Sequence, residues 1–200
     1  MNMSVSIHPI RLSGPWDIGY ALDKHMVYST YIGDDPYDGH PCYDSQRSEI
    51  GELLYQFKYQ GGKGNLISIV DTIVDFLNRH HDMHGFDTII PVPPTPANYR
   101  TYQPTLEIAR MLAEKTRMYC CENVLEKTTN QQLKNMSPEE KRMIERLIVK
   151  RKNALRENNV LLIDDLYDTG ITLSHCVSAL REDPLVRRIG VLTITKTKGQ

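Results

Sequence analysis

Cysteine is scarce in this chain: four in 200 residues, Cys42, Cys120, Cys121 and Cys176, with no C-x-x-C pair. That count excludes a disulfide-dense scaffold, and the spacing excludes a zinc ribbon of paired thiolates, which leaves free thiols. His40 and Cys42 share a turn-rich stretch, but two ligands do not define a metal site. Charge of one sign is also lacking, since 24 Lys and Arg face 25 Asp and Glu for a formal net charge of −1. No global field therefore draws the chain to nucleic acid or to a membrane. No apolar run approaches the roughly 20 residues that span a bilayer, and residues 1–14 lack the basic start and apolar core of a secretory signal. A cytoplasmic location is the default expectation. Apolar content of 40% and charged content of 24% fit one globular core, so a single domain over residues 1–200 is expected.

What is present is concentrated in residues 160–173, V-L-L-I-D-D-L-Y-D-T-G-I-T-L. Val160 to Ile163 are consecutively apolar, the pattern of a strand covered on both faces in a parallel sheet. The carboxyl end of such a strand borders the ligand crevice of an open α/β sheet. There the chain turns through Asp168, Thr169 and Gly170 into a helix starting near Thr172. The free N–H groups and positive dipole end of that helix form an anion cradle. Gly170 lets the backbone approach a phosphate, with Ile171 following it, and Thr169 and Thr172 add hydroxyls. Asp164 and Asp165 would repel the phosphate itself, so they serve a neutral or cationic neighbour: ribose hydroxyls and a divalent ion both fit. The plainer alternative is an acidic strand end in some other doubly wound protein.

Along the rest of the chain, residues 17–23 and 26–32 are expected to pair as a hairpin around Lys24 and His25, with residues 33–44 as loop. Residues 1–46 thus form an amino-terminal hairpin or hood-like segment. Helical spacing begins at Ser48, with Ile50, Leu53, Leu54 and Phe57 on one face and Gly61-Gly62 as the stop. A second helix begins after Asn65, with Leu66, Ile69, Val70, Ile73 and Leu77 buried. Both helices read as structural. Gly61-Gly62-Lys63-Gly64 imitates part of a P-loop but follows a helix and lacks the Ser or Thr, so it reads as a connector. His80, His81 and His84 lack the Glu of a zinc-helix motif and read as a solvated helix end. Thereafter strands at 88–92, 119–125, 160–163 and 189–195 alternate with helices at 104–115 and 172–181, a parallel α/β core flanked by helices. Right-handed crossovers place Val92 and Asp164 at one edge.

The loop after the first of these strands, P-V-P-P-T-P-A-N-Y-R from Pro91, is too rich in proline to be helix. Residues 127–156 hold nine Lys or Arg against three Glu, an asymmetry that implies a polyanion nearby. Ser137-Pro138-Glu139-Glu140 starts a helix expected to run to about Lys150, which leaves residues 127–136 as a basic lid loop. A solvated basic helix is the alternative. A nucleic-acid surface is not expected, because interleaved aromatics are lacking.

The order of strand, paired aspartates and D-T-G-x-T resembles the 5-phosphoribosyl 1-pyrophosphate (PRPP) motif of type I phosphoribosyltransferases. The resemblance implies their Rossmann-like α/β fold with a small hood, and pentosyl transfer from PRPP to a nitrogen nucleophile with Mg2+ as cofactor. It implies that Asp168, Thr169, Gly170, Ile171 and Thr172 hold the 5-phosphate. Asp164 and Asp165 would engage the ribose hydroxyls and the metal, directly or through water. Pro93, Pro94, Thr95, Arg100 and Lys127 would hold pyrophosphate. L-L-Y-Q-F-K-Y from Leu53, I-P-V-P from Ile90 and K-T-T-N-Q-Q-L from Lys127 are similar to the ComF family, whose members are associated with DNA uptake. Two departures matter: the ComF zinc ribbon is absent, and Asp168 stands where Thr is common. Asp168 instead resembles the aspartate of purine-salvage enzymes, a candidate proton acceptor beside the base. The family implies a homodimer and a small nitrogenous acceptor, purine-like if Asp168 is a guide, with the Tyr-rich residues 28–43 as hood. A PRPP- or nucleotide-sensing protein, or a DNA-uptake accessory protein, that keeps the site without turnover is the alternative.

Overall fold

Val160, Leu161, Leu162 and Ile163 are at most 1% exposed because they form the middle of a six-stranded sheet with helices on both faces. The structure is a computed structural model that describes residues 3–62, 64–94, 103–128, 148–153 and 156–197. The sheet order is β1–β2–β10–β9–β5–β6, from β1 (Ile10–Arg11), β2 (Ile18–Lys24), β5 (Thr88–Pro91), β6 (Tyr119–Cys120), β9 (Asn158–Tyr167) and β10 (Val186–Lys196). Only β1 runs antiparallel to its neighbour; the other pairings are parallel. The fold is therefore α/β with a mostly parallel sheet, as the sequence pattern predicts.

Alternation along β9 assigns its residues to two cores. Leu161 and Ile163 pack with Ile50, Phe57, Ile69, Ile73 and Leu112, the buried stripes of α1 (Glu49–Tyr59), α2 (Asn65–Arg79) and α3 (Pro104–Thr116). Val160 and Leu162 pack with Leu173, Cys176, Val177 and Leu180 of α4 (Ile171–Arg181). Local sequence sets the helix starts. Ser48 caps α1 by accepting from the Gly51 amide at 3.1 Å, and Pro104 opens α3 with its φ preset. No helix among the described residues is long and apolar enough to cross a membrane.

The topology places the crevice. From β5 the chain crosses through α3 outward to β6; from the adjacent β9 it crosses through α4 in the opposite direction to β10. Connections that part on opposite faces leave a gap beyond the carboxyl ends of β5 and β9, the switch point where ligands bind in open α/β sheets. Pro91 lies opposite Ile163, and the Val92 amide donates to the Ile163 carbonyl at 2.9 Å, so the Pro93 loop leaves the sheet beside the Asp164 segment of β9.

Four sequence expectations change. The hairpin of residues 17–23 with 26–32 does not form: β2, with Ile18, Ala21 and Leu22 buried, needs cover on both faces and lies between β1 and β10. Its successor β3 (Met26–Asp34) pairs instead with β4 (Pro41–Arg47), much of the span read as loop. Residues 1–46 are therefore not one hood-like unit; only the β3–β4 ribbon stands apart. The strand over 119–125 shrinks to β6, because Asn123 takes a left-handed φ of 58° and ends the extension. The basic helix does not reach Lys150, since β8 (Ile148–Lys150) pairs antiparallel with β7 (Leu125–Lys127) and buries Leu125 and Ile148. Lys127 is accordingly a strand residue, not part of a loop; the rest of the expected lid loop and helix lies outside the described residues. Finally, β9 runs on through Asp164 and Asp165 to Tyr167 because β10 pairs with it that far. The turn is only Asp168 to Gly170.

Candidate active site

A cleft of about 360 Å³ opens at the switch point. Its wall includes Pro93 and Pro94 after β5, Asp164 and Asp165 of β9, Lys127 of β7 and Thr172 of α4. Residues drawn from four separated stretches of sequence thus converge on one cleft. Asp168, Thr169, Gly170 and Ile171 do not line this cleft, and Asp168 and Thr169 are exposed. Thr95 and Arg100 lie outside the described residues.

The two carboxylates project from opposite faces of β9. Asp165, on the face of Ile163, is salt-bridged to Lys58 of α1, Nζ to Oδ2 2.7 Å, with both side chains 20% exposed. Asp164, on the face of Leu162, turns back to accept from the Asp165 amide at 2.8 Å, and the Lys127 ammonium and Cys176 thiol share its surroundings. Burial first, then the charge of Asp165, pushes the Asp164 carboxyl up to about 7. Burial lowers the Lys127 ammonium, with Asp164 opposing. Burial also works against the Lys58 ammonium, yet Asp165 bonded to it holds it above its usual range. Burial raises the Cys176 thiol, which is thereby inert. Thr193, the register partner of Asp164 on β10, is fully buried with no hydrogen-bond partner for its hydroxyl among the described residues.

The turn beyond β9 leads into a helix with a free start: Gly170 has a φ of +77°, and α4 begins without a side-chain cap hydrogen bond among the described residues, which leaves its first amides without an intrahelical or side-chain cap partner. The need for glycine is double, because a Cβ at Gly170 would also meet Tyr167 Oη at 2.7 Å. A larger residue there would strain the backbone and displace the Tyr167 ring, not simply fill an empty cradle. Tyr167 itself packs edge-on to Trp16 with ring centroids 6.4 Å apart. Asp168 accepts from Thr197 Oγ1 at 3.0 Å, which ties the turn to the end of β10.

Lys58 is the site residue that sequence reasoning missed, since α1 reads as a structural helix. Its only signal is position: it lies off the buried stripe of Ile50, Leu54 and Phe57, within the F-K-Y stretch of the ComF resemblance. The decoys resolve as connectors and caps. Gly61 and Gly62 join α1 to α2, while His80 and His84 contact the Phe76 and Leu77 carbonyls at 2.9 and 2.8 Å.

As a donor set, Asp164 and Asp165 offer hard carboxylate oxygens of the kind Mg2+ takes, one or two at a time, alongside substrate phosphates. The described residues contain no group of three or more His, Cys, Asp or Glu placed to cage a metal.

These features define an α/β protein with a polar switch-point cleft. No protein-family model matches the chain, and no curated protein matches it. Among solved structures the chain is similar to UMP synthase of Leishmania donovani, at 14% identity and a TM-score of 0.38, over 84% of this chain. It spans only 27% of that protein's length.

Proposed function

We propose that the chain is a magnesium-dependent phosphoribosyltransferase of type I architecture, ComF-like in its motifs, that transfers the 5-phosphoribosyl group of PRPP to a nitrogen nucleophile and releases pyrophosphate. The observation that carries this reading is the convergence of Asp164, Asp165, Pro93, Pro94, Lys127 and Thr172 on one switch-point cleft.

The parts divide the donor among them. The uncapped amides of α4, with the hydroxyls of Thr169 and Thr172, hold the 5-phosphate at the positive end of the helix dipole. Asp164 and Asp165 accept from the two ribose hydroxyls. Lys127 and the backbone of the Pro93 loop face the diphosphate. Mg2+ would be held against Asp164 and Asp165, and when bound supplies charge neutralisation for the leaving diphosphate. The nitrogen lone pair forms a bond to the anomeric carbon as the bond to the diphosphate oxygen breaks, with inversion, and the bonding electrons leave with pyrophosphate. Positive charge on the ring in that transition state is stabilised by the neighbouring carboxylates. Asp168, exposed at the start of the turn, is the acceptor for the proton the nucleophile loses. The walls fix the reactants in place, so positioning and charge do most of the catalysis.

The test is release of pyrophosphate from PRPP with Mg2+ and a panel of purine bases, pyrimidine bases and amines. Release with at least one acceptor is expected. PRPP binding without release across the panel would favour the sensing alternative, and absence of binding would overturn both.

A further inference from the structure

Among the described residues that line the cleft, Lys58 and Lys127 are the only cations, against Glu122, Asp164 and Asp165. Glu122 is neutralised from outside by Arg110, which grips it through two bonds of 2.6 and 2.7 Å. A diphosphate entering this space therefore has two ammonium groups to draw on, and one of them, Lys58, is already bonded to Asp165. That bond joins the group best suited to a phosphate to a group the ribose hydroxyls need. The donor cannot be read in full while the pair stays closed.

Resting on the phosphoribosyltransferase reading, we propose that Lys58 is an exchange cation: it neutralises Asp165 in the empty site, then passes to the diphosphate when PRPP enters, which frees Asp165 to accept from a ribose hydroxyl. The architecture suits the move. Helix α1 is fixed by Ile50, Leu54 and Phe57, buried to 2% or less, while Lys58 extends from its last turn on a flexible four-carbon stem. Besides Asp165, its ammonium has among the described residues only a weak contact with the Tyr59 ring, 5.6 Å from the centroid. In the empty site the pair also limits repulsion between Asp165 and Asp164, adjacent acids at the strand end. The consequence is selectivity. A ribose phosphate without a diphosphate gives Lys58 no reason to leave, so it meets an occupied Asp165, whereas PRPP opens its own ribose site.

The exchange is tested by a double-mutant cycle on the full chain, with inorganic pyrophosphate and no added metal as the titrant in calorimetry. Asp165→Asn should release Lys58 and tighten pyrophosphate binding about tenfold, the scale of one charged hydrogen bond. In the Lys58→Gln background the same substitution should give less than half of that gain on a logarithmic scale, and in the Lys58→Arg background it should give most of it. Thermal melts report whether each variant folds, and Asp165→Ser replaces Asp165→Asn should that one unfold. Equal gains in the Gln and Lys backgrounds would mean that only repulsion was removed, and would overturn the exchange. A companion titration of the unaltered chain with PRPP and Mg2+ separates the two claims. PRPP bound but gains equal removes the exchange alone; no PRPP binding removes the donor site and the exchange with it.

Discussion

The two halves of β9 share one hydrogen-bonded ladder and do opposite things. Val160 to Ile163 are closed off by helices on both sides, and Asp164 to Tyr167 are half-buried and carry the polar chemistry. Pairing with β10 continues through both halves, whereas β5 pairs only with Val160 to Ile163. Cover differs in the same place: α1, α2, α3 and α4 lie over the first half, while the second half runs out to the cleft. Rigid backbone thus extends into the site, and carboxylates mounted on a strand are held more closely than carboxylates on a loop would be.

Substitutions on the two sides of Ile163 should therefore fail differently. Leu161→Ala removes a fully buried side chain and should cost about 2–5 kcal/mol of folding stability in chemical denaturation, with PRPP affinity of the remaining folded protein unchanged. Asp165→Asn should leave a cooperative melt and lower turnover about a hundredfold; unchanged turnover would remove Asp165 from the site. Gly170→Val, which forces a left-handed backbone and collides with Tyr167, should weaken PRPP binding about tenfold. Undiminished affinity by calorimetry would count against the cradle.

The smallest effect concerns pH. The folded Asp164 carboxyl is raised to about 7, above an unfolded value of about 4, so the native state holds the proton more tightly. Stability contributed by that proton is full below the unfolded value and declines as pH rises toward 7. Denaturation of the ligand-free chain across that range should show the decline, and Asp164→Asn should flatten it.

The buried half of β9 was legible in the sequence because four apolar residues in a row allow few other readings, and the same holds for the stripes of α1 and α2. The paired aspartates were legible as chemistry but placed past the strand's end, since the apolar run stops at Ile163 and only pairing with β10 carries the ladder on through them. Pairing of β3 with β4 was hidden because both strands are exposed on both faces, and without a buried face nothing in the pattern sets register. Lys58 was hidden for a related reason. On paper, a lysine in the last turn of an amphipathic helix is indistinguishable from a solvated one, and only the packing of α1 against the sheet brings it to Asp165.

A crystal structure of the full chain with PRPP and Mg2+ tests the central claim most directly. The account predicts density at the ends of β5 and β9, with the 5-phosphate on the first amides of α4 and the ribose hydroxyls against Asp164 and Asp165. Donor density anywhere else on the protein would contradict it.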